Sequence, residues 1–206
     1  VELLALEYPP YTSLYAENGG DLLAELNHRL DQVKGLRLQP VFLPPARASL
    51  RMQNEQWCTS FLPPIDSSNA PFLLLSDNPV PLGLFRRYQS GSFHWQHLYE
   101  LSGRRVAFLR VGEDSPYVQP FIQAGIEPFY VESVQQGFLL LARGRVDYMY
   151  ADEASYHFLR DNDLLPKVAL QFSDTIILMT HFPLWINPAC EAGMRMYSAL
   201  IRVNPP

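Results

Sequence analysis

The 206-residue chain predicts an α/β protein, and three observations carry that expectation. First, residues 131–159 (VESVQQGFLLLARGRVDYMYADEASYHFL) read as a helix, a tight stop, a buried strand and a second helix opening on an acid. Second, short runs rich in β-branched and aromatic residues alternate with helical patterns along the rest of the chain. Third, Pro, Gly, Asn, Asp and Ser cluster where those runs end, as turns require.

The elements follow in order. Residues 2–6 form an apolar strand that Pro9 and Pro10 must stop, because two prolines fix the backbone and remove two donors. Tyr8 and Tyr11 are presented from that stiff loop, either as an aromatic platform for a ligand or as ordinary core tyrosines. Asn18-Gly19-Gly20 is a turn, and Asp21 is expected to cap a helix whose face is Leu22, Leu23, Leu26 and Leu30. A second strand, 36–42, runs into Pro44-Pro45 and a helix reaching Gln56. Arg47 lies in its first turn, as an anion contact or a solvated arginine. Strands are expected at 57–62 and 80–87, then at 106–109 after the turn at Gly103. Ser115 is the expected cap of a helix that Pro116 opens. Amides at such a start can hold an anion or carboxylate, although simple capping leaves the same trace.

After a strand at 125–130, Ser133 caps a helix with Phe138, Leu139, Leu141 and Ala142 on its apolar face. Gly144 ends it in the left-handed region. Strand 146–151 delivers Asp152 to its C-terminal end, where open α/β sheets bind ligands. A carboxylate there can cap the next helix, face a ligand, or do both. Asp147 caps or pairs locally; strands follow at 167–172 and 175–180. A last helix, about 188–201, faces Met194, Tyr197, Leu200 and Ile201 inward.

Composition bounds the function. A net charge of −5 argues against nucleic acid, whose binding needs a basic surface. No apolar run approaches the ~20 residues of a membrane span. His94 and His97 stand three apart with no third ligand nearby, so no metal and no cofactor is expected. The chain opens without Met, as a mature or trimmed protein would. Cys58 and Cys190 permit one disulfide, which export would favour; two buried thiols is the other reading.

LLLARGRVDYMYADEAS resembles the second lobe of the family 3 bacterial extracellular solute-binding proteins. Further phrases fall in the same order: the Tyr8-Pro9-Pro10-Tyr11 turn, Pro45/Arg47/Ala48, Leu75-Ser76-Asp77-Asn78-Pro79, and Leu101-Ser102-Gly103-Arg104-Arg105-Val106. The resemblance implies a two-lobed type II periplasmic-binding fold, each lobe a mixed sheet flanked by helices, joined by a two-strand hinge. Lobe 1 would comprise 1–82 plus 181–206, and lobe 2 residues 83–180. It also implies ligand contacts from Tyr8, Tyr11, Arg47, Gly112, Ser115 and Asp152, the last holding a ligand ammonium. One departure stands out. Amino-acid binders carry a carboxylate-clamping arginine where this chain has PPIDSSNAPFLL, with no basic residue. A standard α-amino acid would lose its main anchor.

The resemblance implies a monomeric, periplasmic or extracytoplasmic protein that binds a small polar solute in the inter-lobe cleft for an ABC-type permease. The alternative is the ligand-sensing domain of a membrane-anchored kinase or cyclase. A third reading, a periplasmic dehydratase, needs a positioned acid and a strong carboxylate clamp. Only Glu7, Asp152 and Glu153 are candidate acids, and the clamp is missing. No enzyme is expected.

Overall fold

A computed structural model describes residues 1–33, 35–54, 56–64, 69–110, 115 and 117–203. In chain order the strands and helices are β1 (Glu2–Ala5), α1 (Asp21–Leu30), β2 (Gln39–Phe42), α2 (Pro45–Gln53), β3 (Thr59–Ser60), β4 (Phe72–Leu73) and β5 (Val80–Arg87). Next come β6 (Arg105–Leu109), α3 (Gln119–Gln123), β7 (Glu127–Val131), α4 (Val134–Ala142), β8 (Tyr148–Ala151) and α5 (Glu153–Asp161). The chain closes with β9 (Leu170–Phe172), β10 (Leu178–Thr180), β11 (Leu184–Ile186) and α6 (Glu191–Val203). It divides into two units: unit 1 is Val1–Asn78 with His181–Pro206, and unit 2 is Pro79–Thr180.

Unit 1 is a five-stranded mixed sheet in the order β2-β1-β3-β11-β4. β1 is parallel to β2 and β3, and β11 is antiparallel to β3 and β4. Because β1 is central and covered on both faces, it reads as a continuous apolar run. Leu3 and Ala5 join the core made with α1 and α6, whereas Leu4 and Leu6 pack with Ala48, Met52 and Trp57 on the α2 side. All four expected leucines of α1 are buried, but Gly20 rather than Asp21 is its N-cap. α2 stops at Gln53, short of Gln56. The fully buried inward residue of α6 beside Leu200 is Met196.

Cys58 and Cys190 are bridged, with Cα atoms 5.2 Å apart and a sequence separation of 132. The bridge ties the approach to β3 to the start of α6. Asn187 reinforces it: its backbone N–H donates to the Cys58 carbonyl at 2.9 Å and its side-chain amide to the Trp57 carbonyl at 2.9 Å.

Unit 2 holds a six-stranded sheet, β10-β5-β8-β6-β7, with β9 also on β5. β6, β7 and β8 run parallel; β5 is antiparallel to β8, β9 and β10. One core gathers Leu84, Val106, Phe108, Val118, Phe121 and Ile126, with Phe93 and Trp95 from the segment after β5. Elsewhere Phe85 meets the rings of Phe138, Tyr156 and Phe172 within 5.1 Å, the edge-on and tilted geometry that aromatic quadrupoles favour. Ser133 caps α4 by accepting the Gln136 N–H, and Gly144 follows the helix at φ 69°.

Between β9 and β10 the chain bulges at Ser173. The buried hydroxyl accepts the Leu84 N–H at 3.0 Å and donates to the Thr175 carbonyl at 2.7 Å, so a side chain completes the β5 ladder. Opposite it sits Gly83, where a Cβ would stand 2.7 Å from the Ser173 oxygen and 2.8 Å from the Phe172 ring. Only a residue without a side chain fits that approach.

Candidate functional site

In each unit the parallel strands end at one rim, the place where α/β sheets hold their ligands.

In unit 1 the rim is dominated by rings. Tyr8 and Tyr11 lie with centroids 5.8 Å apart, and Phe182 packs edge-on against both, at 5.4 and 4.7 Å. All three are partly exposed. Their loop is pinned by backbone. Tyr8 and Thr12 exchange N–H to carbonyl bonds at 2.8 and 3.1 Å, and the Thr12 hydroxyl donates to Leu6. The first amides of α1 finish the job: Asp21 N–H donates to the Pro10 carbonyl at 2.9 Å and Leu22 N–H to the Tyr11 carbonyl at 3.0 Å. Gly20, at φ 99°, permits this, since a Cβ there would lie 2.6 Å from the Pro10 oxygen and 2.7 Å from that of Tyr11. Helix α1 is thereby bolted to the tyrosine loop, and the rings are held on a rigid base.

Glu7 stabilises the neighbouring turn by accepting the Ser13 hydroxyl and, at 3.0 Å, the Leu14 N–H. Arg47 is exposed in the first turn of α2, and its side chain makes no ion pair among the described residues. Residues 65–68, within the interval that lacks a clamp arginine, lie outside the described residues.

In unit 2 the rim carries helix caps and charge. Asp152, 1% exposed, ends β8 and caps α5: one oxygen accepts the Ser155 N–H at 2.9 Å, the other the Ser155 hydroxyl at 2.8 Å. Arg110, just past β6, bonds Glu132 at 2.7 Å with both side chains half exposed. Burial, and then the neighbouring Tyr117 phenol, push the Tyr150 phenol above its ordinary range. Ser115 accepts the Tyr117 N–H on its hydroxyl at 3.3 Å, and its carbonyl receives Val118 and Gln119. The expected helix starts later than Ser115, at α3. Gly112 lies outside the described residues. Among the described residues no cluster of three His, Cys, Asp or Glu could hold a metal, and no helix is long and apolar enough to cross a membrane.

Phe182 is the residue that sequence reasoning missed at the unit 1 rim. The signal was present: it precedes the antiparallel β11, whose start must lie where the parallel strands end.

The two sheets, their strand orders and the double crossing of the chain define the type II periplasmic-binding-protein fold. No family model and no curated relative matches the chain. Solved structures do, at identities that speak for the fold. A histidine kinase sensor domain with similarity to periplasmic binding proteins is 18% identical, with a TM-score of 0.73 over 98% of this chain and 89% of that one. The GluR0 ligand-binding core from Nostoc punctiforme, in complex with L-glutamate, is 12% identical, with a TM-score of 0.71 over 98% and 92%. Arginine-bound, truncated ArgBP from T. maritima is 18% identical, with a TM-score of 0.69 over 98% and 92%. These similar proteins are ligand-binding proteins and a sensor domain.

Proposed function

We propose that this chain binds a small polar solute outside the cytoplasm, without chemistry, as the binding component of an ABC-type transporter. The observation that carries the reading is the pinned trio of Tyr8, Tyr11 and Phe182, partly exposed at the rim of a fold that serves ligand binding in its structural neighbours. Rings on a rigid base offer contact area at little entropic cost, and their faces suit planar or cationic groups. Tyr8 and Tyr11 supply those faces, Arg47 an anion contact, Ser115 an amide-edge contact, and Asp152 a cation contact. The disulfide favours an oxidising compartment. A second reading, a ligand-sensing domain of a membrane receptor, is favoured by the likeness to the kinase sensor domain. The sequence flanking this chain in the full-length protein separates the two, because a sensor is continued by membrane segments.

The test is a thermal-shift screen against amino acids, dicarboxylates, polyamines and short peptides, followed by calorimetry on any hit. A true ligand at 100 times its Kd adds about 2.7 kcal/mol of stability. Tyr11→Ala should abolish the shift. Asp152→Asn, which keeps a capping oxygen but removes the charge, should weaken a cationic hit by about tenfold or more, on the order of 1.4 kcal/mol. Unaltered affinity in both variants would overturn the site, and a screen with no hit would overturn the function.

A further inference from the structure

We propose that the edge of unit 2 opposite its rim docks on an anionic phospholipid surface. That edge is where β6, β7, β8 and β9 begin and β5 ends, as their registers require. Five neighbouring strands make a row about 19 Å long at ~4.8 Å per strand. Arg104 and Arg105 lead into β6, Arg143 and Arg145 lie between α4 and β8, Arg87 closes β5, and Lys167 precedes β9. All six are exposed.

Acids offset this row only in part. Arg104 meets Asp147 only at 3.8 Å and Arg105 meets Glu127 only at 3.7 Å, in pairs left largely to solvent. Such pairs commit little of a guanidinium's capacity. Arg143 and Arg145 form no ion pair among the described residues, and Arg87 donates to the Leu141 carbonyl at 3.3 Å. Glu100 accepts the Gln96 and His97 N–H groups and stays anionic, so the edge sets six cations against the carboxylates of Glu100, Asp147 and Glu127. A basic row in a chain of net charge −5 is a local inversion of sign.

The residues between the cations identify the partner. Tyr88 is 64% exposed beside Arg87, Tyr99 is 63% exposed ahead of Arg104, and Val168 is exposed beside Lys167. Guanidiniums pair with phosphate in a bidentate fork, and phenols settle at the boundary between headgroups and acyl chains. Single phenols and one valine spaced among the cations fit a headgroup boundary better than the continuous apolar centre of a protein–protein interface. Docking by this edge leaves the rim of unit 2 uncovered.

Co-sedimentation of the chain with vesicles tests this, comparing pure phosphatidylcholine with phosphatidylcholine containing about 30% phosphatidylglycerol. Each basic residue at an anionic surface is worth roughly a fivefold gain in partitioning. Arg143→Glu/Arg145→Glu should therefore cost about 25-fold or more, with an unchanged melting profile, whereas Arg195→Glu on α6 in unit 1 should change nothing. Binding should vanish in about 1 M salt, where the Debye length falls to about 3 Å. The proposal is overturned by equal binding to both vesicles, by full binding of the double variant, or by capture on immobilised polyglutamate without capture by vesicles.

Discussion

Removing the Cys58–Cys190 bridge should unfold unit 1 at a lower temperature and leave unit 2 where it was. The loop that the bridge closes spans 132 residues and contains all of unit 2. If both units unfold together, the loop-entropy relation gives about 5 kcal/mol for its loss. If unit 2 stays folded, Val80 and Thr180 remain paired across β5 and β10. The path from Cys58 to Cys190 then contracts to about 33 residues, and the same relation gives about 3.7 kcal/mol. In a unit of about 100 residues each kcal/mol moves Tm by roughly 4–8 °C, so the unit 1 transition should fall by about 15 °C or more. Calorimetry of Cys58→Ser/Cys190→Ser against the parent, with segment-resolved hydrogen exchange, reads both units. Amides of β1 and α1 should lose protection while those of β6 and α4 keep theirs. A fall of less than about 3 °C, or parallel loss of protection in both units, would refute the reasoning.

Two further outcomes follow from side-chain detail. Gly83→Ala forces a Cβ against Ser173 and Phe172 and should cost about 2 kcal/mol, read as a lower urea midpoint for unit 2; a cost within 0.5 kcal/mol, roughly the scatter of neutral substitutions, would show that the bulge yields. Tyr150, whose phenol burial holds protonated, ionises more easily unfolded than folded. Stability is thus unaffected by it below about pH 10 and falls as pH rises beyond, because the unfolded chain then releases a proton that the folded chain retains. An ultraviolet titration in which Tyr150→Phe removes no late-ionising phenol would contradict this.

What the sequence made legible was local chemistry. The α1 leucines, the Ser133 cap, Gly144 and the helix start at Asp152 are each decided by neighbours within four residues, and each lies where those neighbours put it. The two-lobed fold was legible too, through phrases in a fixed order. The misses have a common cause in distance along the chain. Gly20 displaces Asp21 as the α1 cap because the Tyr8–Thr12 loop occupies the helix start. Phe182 joins Tyr8 from more than 170 residues away. Ser173 enters the β5 ladder 89 residues from Leu84. No periodicity announces such meetings. Cysteine pairing was likewise open until β11 brought Asn187, and with it Cys190, beside Trp57 and Cys58.

The position of β11 carries a consequence for biosynthesis. It lies between β3 and β4 and pairs with both, β3 holding β1 on its other edge. A polypeptide emerging from the ribosome therefore completes unit 2, which is continuous in sequence, while one edge of β3 still waits for residues 184–186. Until they arrive, the first-made part of the protein carries an unpaired strand edge, open to capture by a chaperone or by another nascent chain.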